Sequence, residues 1–221
     1  MITAPQSFLL GYTVPIVGIH FNATQLLAQT GEGATGELAT RITHQTESFA
    51  ARQRGVVDNV RHALSLLTAA EIDAGPPPRT PDEYFVWAER IQSEFTAHIA
   101  PQDLTLSSAY LFGQLLGSAL LTLNLGLLTD YFLDAAPDHA RLRVQAAALA
   151  ADQSRLAATI ARAAANPLLP AGARAPVEEF LAAFRAAPVI GTADHQAAVA
   201  GLQQAMRACG EKVQQVEKGF S

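Results

Sequence analysis

Charge is what this chain has least of. Asp, Glu, Lys and Arg together make up 16 % of its 221 residues, against roughly 25 % in an average soluble protein. Lysine occurs only as Lys212 and Lys218, and the arginines are scattered. The net charge is −5. Neutralising phosphates needs clustered cations, so this balance argues against a general nucleic-acid binder. Cysteine is nearly absent too. Cys209 stands alone, which rules out an intrachain disulfide and is compatible with a cytoplasmic protein. Residues 1–31 lack Lys and Arg, so the cationic start of a secretory signal is not seen there. The expected location is the cytoplasm.

Motifs that carry chemistry are missing as well. No G-x-S-x-G, H-E-x-x-H or C-x-x-C occurs. The glycine-rich piece GEGATG at 31–36 lacks the P-loop lysine and follows no strand pattern. No cofactor, no metal and no catalytic residue is expected, and the chain leans away from enzymes.

What is present is apolar surface, at 49 % hydrophobic residues. With so few charges, more side chains must find apolar company, which suits a thick bundle, an oligomer or a membrane-active protein. Residues 104–129, LTLSSAYLFGQLLGSALLTLNLGLLT, contain no Asp, Glu, Lys, Arg or His. The stretch is long enough to cross a bilayer, which takes about 20 apolar residues. It also suits a helix enclosed by protein. Its flanks, Asp103, Asp130 and Asp134, are acidic, and cationic anchors are missing at both ends. Ser107, Gln114, Ser118, Thr122 and Thr129 form a weakly polar stripe on it. A buried or interface helix is therefore the first expectation. If the helix inserts in a second state, Phe112, Gly113, Leu116, Gly117, Leu120, Leu123 and Leu127 are the candidates, with Gly113-x-x-x-Gly117 allowing close helix approach.

The fold class expected is all-α: an elongated antiparallel bundle of about four long helices plus two or three short ones, in a single domain spanning 1–221. Residues 1–36 read as an apolar segment and flexible loop packed on or near the bundle. Pro15, Gly11 and Gly18 interrupt it, so a short kinked piece leads into a helix near 21–29. One helix of about 50 Å is expected over 37–72 from Leu38, Ile42, Phe49, Val56, Val60, Leu64 and Leu67. Pro76, Pro77 and Pro78 form a stiff connector. Thr80, Pro81 and Glu83 spell a capping box that starts the next helix, with Pro101 ending its run. After the uncharged helix, Asp138 should cap an Ala-rich helix over 138–165, whose small side chains favour close packing. A short helix over 177–186 follows, and Thr192 should cap the last one, 193–218.

In that last helix Val199, Leu202, Met206, Cys209, Val213, Val216 and Phe220 alternate spacings of three and four. This is a coiled-coil-type seam and the candidate interaction surface. The function expected is non-catalytic: association with itself or with another protein. The alternatives are a membrane-active, pore-forming or toxin-like bundle that inserts its uncharged helix, and an apolar-ligand binder or enzyme with an interhelical pocket offering Gln114 and Asn124.

Two ladders, Arg54/Asp58/His62 and Arg90/Glu94/His98, would bring acid–His pairs together if their helices formed a hairpin. Exposed pairs one turn apart are the ordinary explanation, for these and for His44 with Glu47. His20 reads as a structural histidine in an apolar run, His139 and His195 as surface residues, Cys209 as a small hydrophobe, and Trp87 with Phe85 as packing groups.

Overall fold

The chain folds as an all-α protein with no strand among the described residues. The computed structural model describes residues 2–99 and 103–221, with Gln53 described by its backbone alone. Among the described residues eight helices follow in order: α1 (Ala4–Gly31), α2 (Gly36–Ala51), α3 (Gln53–Ala69), α4 (Pro81–His98), α5 (Leu104–Ala135), α6 (Ala140–Ala164), α7 (Ala171–Arg185) and α8 (His195–Lys218). Pro101, expected to end α4, lies outside the described residues.

The uncharged stretch forms most of α5, which packs against α1, α2, α6 and α8. Asp103 caps it by accepting from the Thr105 and Leu106 amides at 2.8 and 3.0 Å. Both α1 and α5 are apolar on most of their circumference, so most of each helix is covered by other helices. The two lie side by side. Ser7 donates to the Leu106 carbonyl at 2.7 Å. A Cβ added at Gly113 would fall on the Phe8 carbonyl and the Tyr12 amide. One added at Gly11 would fall on the Tyr110 carbonyl, and one at Gly117 would stand 2.6 Å from the Tyr12 oxygen. Three glycines therefore let the two backbones touch where any other residue would hold them apart.

This corrects the expectation for the N-terminal region. Instead of a short kinked piece leading into a helix near 21–29, α1 is one continuous helix of 28 residues. A Thr3–Gln6 capping box starts it, and Pro15 sits inside it. A helical proline loses its own N–H bond and crowds the carbonyl four residues back. Here that residue is Gly11, whose backbone can tilt most freely. The same arrangement recurs in α7, where Pro176 follows Gly172 by four. That helix accordingly begins at Ala171, earlier than the proline suggested.

The helix expected over 37–72 is two helices, divided at Arg52. Both halves pack on α1, and α2 also reaches α5. α2 is anchored to the end of α5: Arg41 pairs with Asp134 at 2.8 Å, donates to the Tyr131 carbonyl at 2.6 Å and lies over the Tyr131 ring. α3 packs on α1 through Ala63, Leu66 and Leu67. At two other helix starts the cap differs from expectation. His139, rather than Asp138, accepts from the Leu142 amide. Asp194, rather than Thr192, caps α8 by accepting from the Ala197 amide at 2.9 Å. Thr80 caps α4 as expected by accepting from the Glu83 amide, but the Glu83 carboxylate accepts from the Arg79 amide, one residue before the cap, so the reciprocal half of the box is displaced.

Two apolar cores result. The larger one joins α1, α5, α6, α7 and α8 through residues such as Phe8, Leu116, Leu123, Phe180 and Leu202. The smaller one joins α1, α3 and α4 with Tyr110 of α5 through Leu10, Val17, Phe21, Trp87, Ile91 and Phe95. α1 is the wall common to both.

Candidate functional site

The face of α5 opposite α1 is open over the helix's first half. Leu104, Ser108, Leu111, Leu115 and Ser118 follow one another at spacings of four, three, four and three, which keeps them on one strip. Gly113 lies half a turn round the helix from the strip, so contact with α1 and the open strip occupy opposite sides. Thr159 and Ala163 of α6 form the facing wall, and Asn166 and Leu168 close one end. The result is a groove of about 530 Å³ with no charged side chain in its lining. Leu104, Leu111 and Leu168 line it while remaining 67 %, 49 % and 55 % exposed. Uncharged hydrogen-bonding groups are spaced along it: Ser107, Gln114, Ser118 and Thr159. Gln114 also donates to Gln92 of α4, and to the Tyr110 hydroxyl at 3.3 Å, which holds its carboxamide at the groove's edge.

The candidate interaction seam of α8 lies elsewhere. Leu202, Cys209, Val213, Val216 and Phe220 are buried, and Val199 and Met206 are half-buried. Their partners are α5 and α7 of the same chain. Phe220 stacks on Phe8 and leans on Phe112, and the Cys209 thiol points to the Phe180 carbonyl. A 3–4 repeat marks a helix that meets other helices, and here those are already present. The seam is thus filled from within. Burial pushes the Cys209 thiol up to about 12, which removes it as a nucleophile at ordinary pH.

The membrane-insertion candidates are enclosed in the same way. Phe112, Gly113, Leu116, Gly117, Leu120 and Leu123 are buried and Leu127 is half-buried. Gly113 and Gly117, the pair that would bring two helices together in lipid, already receive α1.

A pairing the sequence left unseen joins Asp130 and His195. Asp130 is completely buried near the end of α5. Its carboxylate accepts from the Gly191 amide through both oxygens at 3.1 Å and meets His195 Nδ1 at 2.7 Å. This corrects the surface reading of His195. The three contacts fasten the 187–194 connection and the start of α8 to α5. Gly126 assists, since a Cβ there would strike the Ile190 side chain. His195 also lines a shallow depression with Asp138, Arg143 and Gly191. Nothing in the sequence announces the pair, because 65 residues separate its members.

The two acid–His ladders do not converge. Asp58 pairs with Arg61 and Glu94 with His98, each within its own helix and at the surface. Among the described residues no group of three or more His, Cys, Asp or Glu could hold a metal ion. His20 is half-buried between two depressions, one lined by Leu27, Thr46 and Phe49, the other by Val57, Val60 and Arg79. Its Nδ1 has no hydrogen-bond partner, and burial holds the imidazole below its ordinary pKa.

No protein family, curated protein or solved structure matches this chain.

Proposed function

We propose that this chain works by association, without catalysis, and that the groove between α5 and α6 receives an apolar helix. One observation carries the reading. Three of the chain's large exposed hydrophobic side chains, Leu104, Leu111 and Leu168, border one uncharged groove. Exposed apolar surface gathered in one place marks an interaction site, whereas single exposed leucines do not. The strip's 3–4 spacing is the one at which a second helix keeps contact along its length. A helix lying in an apolar groove is an established recognition mode.

The test uses a labelled, uncharged amphipathic peptide with leucines at 3–4 spacing, followed by fluorescence anisotropy. Saturable binding is expected for the unmodified chain. Leu104→Asp and Leu168→Asp should each weaken it by about tenfold or more, the effect of burying an unpaired carboxylate in an apolar contact. Val144→Asp should leave it unchanged, since Val144 is an exposed hydrophobic on α6 outside the groove lining. No binding, or equal binding by all four proteins, would overturn the reading.

Membrane entry by α5 rests on one observation, a helix long and apolar enough to cross a bilayer. Withdrawing it would part the glycine contacts with α1 and open the larger core. Association through the open groove needs neither.

A further inference from the structure

We infer that the helix this groove receives is the same helix of a second copy, α5 lying antiparallel to α5 about a two-fold axis beside Leu111. This rests on the association reading above and names its partner.

Apart from Phe112, the α5 residues that line the groove form a self-complementary set when reversed about Leu111. Reversal sets Leu104 opposite Ser118, Leu115 opposite Ser107, and Ser108 opposite Gln114, while Leu111 meets its own copy. A large side chain thus faces a small one at both ends, which is how facing helix surfaces interdigitate. At the remaining positions a hydroxyl faces a carboxamide, a pair able to hydrogen-bond. A two-fold interface requires this property, since one patch must fit itself.

Charge points the same way. Every copy carries a net charge of −5, so two copies repel unless they meet where charge is absent. The groove lining is uncharged, so no like charges are brought face to face there. A partner chosen by charge would call for charged groups at the rim of the strip, and Leu104 through Ser118 supply none.

The strip is about 21 Å long at 1.5 Å per residue, so the contact is smaller than a standard stable interface. The pair should therefore be reversible and form in the micromolar range.

Sedimentation equilibrium between about 1 µM and about 500 µM, the range such an interface spans, tests this directly. The unmodified chain should pass from monomer to dimer mass across that range. Leu111→Asp places two carboxylates at the axis, so it should raise the dissociation constant about 100-fold or more and remain monomeric throughout. Leu111 is 49 % exposed, so the thermal melt of this variant should match the parent's. A second readout uses Leu111→Cys, whose two copies should cross-link under mild oxidation into a two-chain band, while Val144→Cys should not. A dimer that survives Leu111→Asp, or equal cross-linking of both cysteine variants, overturns the inference. So does a parent chain that stays monomeric at the highest concentration. If that monomer still binds the leucine peptide, only the self-pairing falls; if it binds nothing, the association reading falls with it.

Discussion

Gly113 has two backbone neighbours where a side chain would be. Its Cα faces the Phe8 carbonyl and the Tyr12 amide, both belonging to a continuous helix. An added methyl cannot rotate away, and its neighbours are main-chain atoms that move only with α1 as a whole. Overpacking a core commonly costs about 1–3 kcal/mol, and a backbone obstacle belongs at the upper end of that range or above it. Gly113→Ala should thus lower stability by about 3 kcal/mol, a fall in Tm of about 6–12 °C for a chain of this size. Gly55→Ala is the control, because nothing lies within contact of a Cβ there. It should raise Tm slightly, since alanine favours helix over glycine by roughly 1 kcal/mol. Thermal denaturation of the two variants side by side decides the matter; equal melts would mean that α1 and α5 do not touch through these glycines.

His20 gives a second prediction at this scale. Burial disfavours its charged form, so its folded pKa lies below the unfolded value of about 6.5. Between those two values the unfolded chain binds more protons than the folded one, and stability rises with pH. The contribution is therefore present above about 6.5 and is lost as pH falls through the unfolded value towards the folded one. His20→Gln removes the titration. The drop in Tm between pH 7.5 and pH 5.5, a window bracketing the unfolded value, should be smaller in the variant than in the parent. An equal or larger drop would show that the imidazole is not desolvated.

Among the elements, those with local signals were legible in the sequence. The Thr80 cap is read from a few adjacent residues, and it accepts from the Glu83 amide as expected. The charge-free run predicted a buried or interface helix, and most positions of α5 are buried. What stayed hidden depends on partners distant in the chain. The break at Arg52 separates α2, which packs on α1 and reaches the end of α5, from α3, which lies on α1, and no residue near 52 records that division. The continuity of α1 was masked because its proline and glycines read locally as interruptions, although two of the glycines serve contacts with Tyr110 and Tyr84. The seam of α8 shows a related limit. A 3–4 repeat reports that a helix has helical neighbours and is silent on whether they belong to the same chain. The open strip on α5 was obscured in turn, because its leucines merged with an apolar run in which most positions are buried.

At the scale of the whole molecule, two cores share one wall. Trp87 sits 3 % exposed in the smaller core and Cys209 is fully buried in the larger one. These are the chain's only tryptophan and only cysteine, so each core carries a natural reporter. If α1 joins the cores into one cooperative unit, Trp87 fluorescence and the reactivity of Cys209 towards a thiol reagent should change at the same urea concentration. Separate midpoints would mean that α3 and α4 detach before the rest unfolds. Cys209 should be inert to the reagent in the native protein, because its thiol is buried and its pKa is pushed up to about 12.

The contact between α1 and α5 also sets a schedule for synthesis. Ser7 must wait for Leu106, 99 residues later, before its hydrogen bond can form. At about 5–20 residues per second a ribosome takes roughly 5–20 s to make that length. Throughout that interval α1 is an apolar helix without its closest neighbour, a surface that attracts other nascent chains and the chaperones that guard against them. The glycines that make the finished contact so close offer nothing to the helix alone, so until α5 emerges α1 lacks the contact that fits it best.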